Sequence, residues 1–184
     1  MPIFAKTKLT IHENCLDFVP GSPYPGIGYM KFEYKGPNPQ NIYPKMRELF
    51  VSVWSIDPSE LQERDFFWDR RQAEEKFNVV FEMVKDLDNF SFIQVMITLK
   101  GTTSPSKDFG KEGTASIRVE AKLRTEYPQD TLWQRNPFYE MARAFYHKYL
   151  YEERRKKYKE QCRVDVIRLL EEIKNFLNLL PKSV

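Results

Sequence analysis

The clearest hydrophobic pattern lies at the end of the chain. Cys162, Val166, Leu169, Ile173, Phe176 and Leu180 recur at alternating steps of four and three, one buried stripe of a helix. The segment that carries them, residues 136–181, reads as one long or once-broken helix. Asn136 suits the N-cap, Pro137 the first helical position, and Glu140 the positive helix end. No Gly or Pro intervenes before Pro181. A continuous helix of about 44 residues would run roughly 66 Å, yet a compact domain of this size is only about 40 Å across. The spacing therefore predicts a break at the polar run 152–157. Residues 158–180 are then the part packed on the core, and 137–157 the part that projects aromatics and charge.

Upstream, residues 3–12 alternate as a first strand, with Thr7, Leu9 and Ile11 on one side. The Pro- and Gly-rich stretch 19–26 sustains neither helix nor ladder. A second strand covers 27–35 with Met30, Phe32 and Tyr34 on one face. Ile42, Met46, Leu49, Phe50, Val53 and Trp54 then follow the helical repeat. Pro44 requires that helix to begin just before it, and Asp57-Pro58 ends it. Four antiparallel strands follow. The first is 61–70. The second has Phe77, Val79, Phe81 and Met83 on one face. The third, 90–101, comes after a turn at 86–89. The fourth places Ala115, Ile117, Val119, Ala121 and Leu123 inward. Residues 102–111 read as a polar loop between the last two.

The fold class expected is α+β: a curved antiparallel β-sheet packed against a long C-terminal helix, with one shorter helix after the second strand, in a single domain spanning 1–184. This element order, over roughly residues 27–180, resembles the helix-grip folds of the Bet v 1-like or START-like superfamily. It departs from them in its single clear early helix and its extra leading strand. The resemblance implies a cavity between sheet and closing helix that takes apolar ligands. The positions expected to line it are Phe32, Phe81, Met83, Val119, Tyr149 and Phe176.

Composition narrows the chemistry. The 29 basic and 26 acidic residues leave a formal charge of +3, too little to imply nucleic-acid binding from overall charge. Aromatics reach 15%, enough for a large core or an aromatic-lined cavity. The N-terminus lacks a signal-peptide layout and no run of 18 apolar residues exists, so the default is a cytoplasmic protein without a membrane span. Cys15 and Cys162 allow one bridge, but a buried inert thiol plus a loop thiol is the expected arrangement. With two histidines and no paired-cysteine spacing, no metal or other cofactor is expected. Glycine-rich phosphate loops and a Gly-x-Ser-x-Gly elbow are absent. Ser104-x-x-Lys107 and the sequon at Asn89 are treated as chance matches.

No catalytic residue is assigned, and the chain reads as a binder before an enzyme, with an enzyme built on inward carboxylates as the third reading. Glu63, Asp65 and Asp69 share one face of the strand 61–70, with Phe67 between them. They could then serve as acid and base or bind a polar head group, but the solvent face is the expected place for them. Trp68, opposite, belongs to the core. The run Arg154, Arg155, Lys156, Lys157 and Lys159 could contact phosphates, although interleaved glutamates favour a solvated, salt-bridged helix face. Phe138, Met141, Phe145 and Tyr149 are expected to pack in the core. The aromatic density of Phe138, Tyr139, Phe145, Tyr146, Tyr149 and Tyr151, interleaved with Arg143, His147 and Lys148, could alternatively line a cavity mouth or an oligomer interface. The functions expected are therefore binding of an apolar or amphipathic small molecule or, alternatively, an interaction module. The module would use the basic, tyrosine-rich closing helix for nucleic acid, an acidic partner or a homodimer.

Overall fold

The computed structural model describes residues 7–17, 28–71, 74–108, 110–129 and 131–179. The stretch 19–26, the start of the expected first strand, and Leu180 and Pro181 lie outside them. The chain runs β1 (Thr7–Asn14), β2 (Tyr29–Pro37), α1 (Ile42–Trp54), β3 (Leu61–Asp69), β4 (Glu75–Asp86), β5 (Ser91–Ser106), β6 (Gly110–Gln129), α2 (Pro137–Phe145), a π-helical turn (Tyr146–Leu150) and α3 (Glu152–Leu179). It is an α+β fold: the six strands form one open antiparallel sheet, and the helices follow or interrupt it.

The sheet order is β1-β6-β5-β4-β3, with β2 also paired to β6. β1 and β2 share one edge of the 20-residue β6: β1 takes residues 122–129 and β2 takes 112–120. At the junction the Cys15 N–H donates to the Ala121 carbonyl at 3.0 Å, so the ladder is carried across the gap. β6 thereby keeps partners on both sides for most of its length.

Period-2 alternation sends one face of this sheet into the core. Phe77, Val79, Phe81 and Met83 of β4, Ile93, Val95, Ile97 and Leu99 of β5, and Ile117, Val119 and Leu123 of β6 are buried there. Onto that face pack the buried stripe of α1 and the buried stripe of α3, the latter made of Cys162, Val166, Leu169, Leu170, Ile173 and Leu177. Burying one such aliphatic side chain contributes about 1.5–3 kcal/mol, so the α3 stripe is a main source of stability. Pro44 sits in the first turn of α1, where its missing N–H has no partner to lose.

Three expectations are corrected. First, residues 102–111 are mostly ladder: β5 continues to Ser106 and β6 begins at Gly110. β-branched Thr102, Thr103 and Thr114 favour this extension. Pro105 is tolerated because β4 pairs with β5 only as far as Thr103, leaving Pro105 a partner on one side alone. Second, Cys15 and Cys162 are not separate thiols: they form a disulfide with Cα atoms 5.9 Å apart, joining the end of β1 to α3. Spacing 147 residues apart in sequence carried no hint of it. Third, the closing helix does break, but at Tyr146–Tyr151, just before the polar run 152–157.

Candidate functional site

The break organises the most unusual surface of the molecule. α2 begins as its residues dictate: the Asn136 side chain accepts from the Phe138 N–H at 2.9 Å, and Pro137 follows. After Phe145 the helix widens. The Tyr151 N–H reaches back five residues to the Tyr146 carbonyl, a π-type bond. The residues facing the sheet then step by four, from Arg143 to His147, Tyr151 and Arg155. That spacing exceeds the 3.6-residue repeat, and the wide turn absorbs the excess.

Polar bonds hold this inner side. Tyr151 is 1% exposed, and its hydroxyl donates to Asp88 Oδ2 at 2.7 Å. Since that hydroxyl has one proton, Ser91 Oγ donates to it at 2.7 Å, and Thr125 Oγ1 donates in turn to Ser91 at 2.9 Å. Asp88 also accepts the Phe90 and Ser91 N–H groups at 2.8 Å each and the Tyr158 hydroxyl at 3.1 Å. Burial alone would raise the Asp88 carboxyl, but these donors hold it below the usual range. Burial likewise pushes the Tyr151 phenol up, so it stays a donor at neutral pH.

One turn earlier, Arg155 Nη1 lies 2.6 Å from His147 Nε2. A guanidinium only donates, so Nε2 must be the bare nitrogen and the ring proton sits on Nδ1, 2.8 Å from the Tyr127 hydroxyl. Burial, then the neighbouring Arg155, lowers the His147 pKa below its ordinary value and keeps the ring neutral. Burial also lifts Tyr127, to about 12. Arg155 is in turn ion-paired with Glu13 of β1 at 3.1 Å. Arg143, its side chain only 9% exposed, pairs with Glu140 and lies 5.7 Å from the centre of the Tyr127 ring.

Because the polar side faces inward, the apolar side faces out. Phe138, Met141, Phe145, Tyr149 and Leu150, together with Leu132 and Trp133 just upstream, are between 58% and 82% exposed. This corrects the expectation that Phe138, Met141, Phe145 and Tyr149 fill the core: the core-facing positions of α2 are taken by Tyr139, Glu140 and Arg143. Phe145 and Tyr149 stack on the outside with ring centres 4.8 Å apart. Among the described side chains of 131–150, Lys148 is the one exposed charge. At these exposures the seven large side chains leave on the order of 900 Å² of surface, judged from typical side-chain areas. The largest apolar patch of an ordinary monomer is about 300–600 Å².

The other expected sites scatter. Phe81, Met83 and Val119 are fully buried in the core, Phe32 and Phe176 are half-buried at its rim, and Tyr149 is outside it. Glu63, Asp65 and Asp69 do not share a face. A bulge between Glu63 and Asp65 shifts the register with β4, so Glu63 sits beside α1 and the two aspartates point to the opposite side. Glu63 is ion-paired with Arg47 at 2.7 Å and accepts from the Tyr43 hydroxyl at 3.2 Å. Asp65 accepts from Asn78 at 3.2 Å, and Asp69 from the Arg71 backbone at 3.0 Å. Each carboxylate has a structural partner of its own. The bulge leaves Trp68 facing the core, 5.4 Å from Phe77 ring to ring.

The basic run divides around α3. Arg155 pairs with Glu13, Lys159 with Asp17 at 3.4 Å, and Lys156 with Glu152 at 2.7 Å, while Arg154 and Lys157 are exposed. Among the described residues, no group of three or more His, Cys, Asp or Glu is placed to hold a metal, and no helix is long and apolar enough to cross a membrane.

No family model matches the chain, and no curated protein does. Among solved structures it is similar to a putative uncharacterized protein from Rhizobium leguminosarum, at 10% identity over 94% of this chain and 98% of that one, with a TM-score of 0.25. A protein of unknown function from Staphylococcus aureus is similar at 8% identity over 82% of this chain and 94% of that one, with a TM-score of 0.23. Likenesses this remote carry no argument about function.

Proposed function

We propose that this protein is an interaction module that pairs with a second copy of itself through the outward face of α2 and the π turn. The observation that carries the reading is the inverted amphipathic helix, whose polar side is bonded to its own sheet and whose apolar side meets solvent. A stable dimer buries about 800 Å² per partner, which matches the exposed area estimated above. The face has the aromatic and Met content, and the scarcity of charge, of interface centres. A membrane-surface helix keeps cations on its polar side free for head groups. Here Arg143 and Arg155 on that side are engaged within the chain, which favours a protein partner. An apolar small molecule between sheet and α3, the use implied by the helix-grip resemblance, would have to displace Phe81, Met83 and Val119, which already fill that space.

The test is Phe145→Glu. The side chain is more than half exposed, so the variant should fold with an unchanged circular-dichroism spectrum. Light scattering should then give half the mass of the unaltered protein. An unaltered protein that is a monomer and co-sediments with anionic vesicles would sink the proposal in favour of a lipid surface.

A further inference from the structure

The face of the sheet that no described helix covers carries a second feature, independent of the closing helices. An open pocket of about 600 Å³ lies at the end of the sheet where β2, β6, β5 and β4 run side by side. Register places two adjacent rows of outward residues along it. One runs Lys35–Thr114–Thr102–Lys76 and the next Glu33–Ser116–Lys100–Asn78, each taking one residue from each of the four strands. All but Asn78 line the pocket. Between the rows run Tyr34, Ala115, Gly101 and Phe77, whose side-chain positions turn toward the core, so their backbone makes the floor. Gly101 is fixed by packing, since a Cβ there would meet the Phe77 ring and the Thr114 carbonyl at 2.3 and 2.4 Å.

The charge in these rows is mixed but leans positive, with Lys35 and Lys100 the cations left over. Lys35 and Lys100 have no carboxylate partner among the described residues, while Lys76 lies 3.9 Å from Glu74 and directly across from Asp69 of β3, whose carboxyl it helps to hold low. Glu33 is occupied by Lys31 at 2.6 Å. Lys35 and Lys76 stand three strand spacings apart, about 14 Å, and an extended lysine reaches about 6 Å. Their ammonium groups can therefore converge over the hydroxyls of Thr102 and Thr114, which lie 3.3 Å from each other. Lys100 approaches from the neighbouring row. Lys35 and Lys100, with Lys76 shared with its carboxylate neighbours and one hydroxyl proton left by the Thr102–Thr114 pair, form around a pocket of small-molecule size a receptor for several linked anionic oxygens.

We propose that this pocket binds an oligophosphate chain, either free or as the tail of a nucleotide. The half-exposed Phe67 is next but one to Lys100 across the sheet, beyond Asn78. A base could rest on it while the phosphates lie on the lysines. Isothermal titration with sodium tripolyphosphate and with ATP, in magnesium-free buffer at fixed ionic strength, tests this and separates the two sources. Saturable one-site binding of tripolyphosphate is expected. It should weaken about tenfold or more when Lys35→Ala and Lys100→Ala are combined, and stay unchanged in Lys157→Ala on α3. Equal affinity for both probes would assign the site to the phosphate chain alone. Tighter ATP binding that Phe67→Ala abolishes would assign it to a nucleotide. Absence of saturable binding, or equal affinity in the double variant, would overturn the proposal. So would a single-stranded oligonucleotide that binds far more tightly than either probe, which would make the face a nucleic-acid surface.

Discussion

His147 shows how one side chain couples the closing helix to pH. The folded protein holds this ring neutral, with Nε2 accepting from Arg155 and Nδ1 donating toward Tyr127, while Arg143, Arg155 and Glu13 surround it. Its folded pKa is therefore lowered, against about 6.5 in the unfolded chain. As pH falls below about 6.5 the unfolded state takes up the proton first, so stability is lost from there down to the folded pKa. Denaturant melts between pH 7.5 and 5 should show this loss, and His147→Gln, which cannot protonate, should flatten it. A profile identical in the variant would show that another group sets the dependence. Tyr151→Phe should cost about 1–3 kcal/mol, the penalty for removing one partner from a buried network, measured by urea unfolding at neutral pH. Neither role was legible in the sequence. His147 and Tyr151 sit in a run of aromatics whose inward and outward members are decided by the π turn, and no local residue pattern marks that turn. The same holds for Glu63: a single bulge moved it to the other face from Asp65 and Asp69, and a strictly alternating reading cannot foresee a bulge.

At the scale of elements, the long periodic segments could be read directly. The stripe from Cys162 to Ile173, the α1 repeat and the inward alternations of β4, β5 and β6 are set by burial against a single face, so each declares itself in the spacing of its apolar residues. Ends were less legible. β5 and β6 run past Thr102 because a long hairpin satisfies its own backbone even where the side chains are polar, and polarity alone had suggested a loop. The break in the closing helix followed from length, but its position depended on which tyrosine enters the sheet. The link between β1 and α3 is reinforced three times, by the Cys15–Cys162 disulfide, Glu13–Arg155 and Asp17–Lys159. The disulfide closes most of the chain into a loop, which by loop entropy stabilises by about 3–5 kcal/mol. The double variant Cys15→Ser with Cys162→Ser should lose that amount, and a reducing agent should lower the melting temperature of the native chain and leave the variant unaffected. If reduction changes nothing, the bridge contributes no stability.

At the scale of the whole molecule, the surfaces divide the labour. One sheet face and the inner sides of α1 and α3 make the core. The outward side of α2 and the π turn is an apolar face that no described residue covers. The aromatic content that pointed to a large core or a ligand cavity is thus shared between the interior and an exterior patch. An aromatic count cannot tell these apart, because helical spacing predicts a stripe without saying which side of the helix meets the sheet. The central claim is that this patch is covered by a second copy. Sedimentation velocity across a hundredfold dilution addresses it most directly. A species near twice 22.0 kDa is expected at the higher concentrations, shifting toward one copy on dilution. A single 22.0 kDa species throughout, with the apolar face of α2 open to solvent, would contradict it.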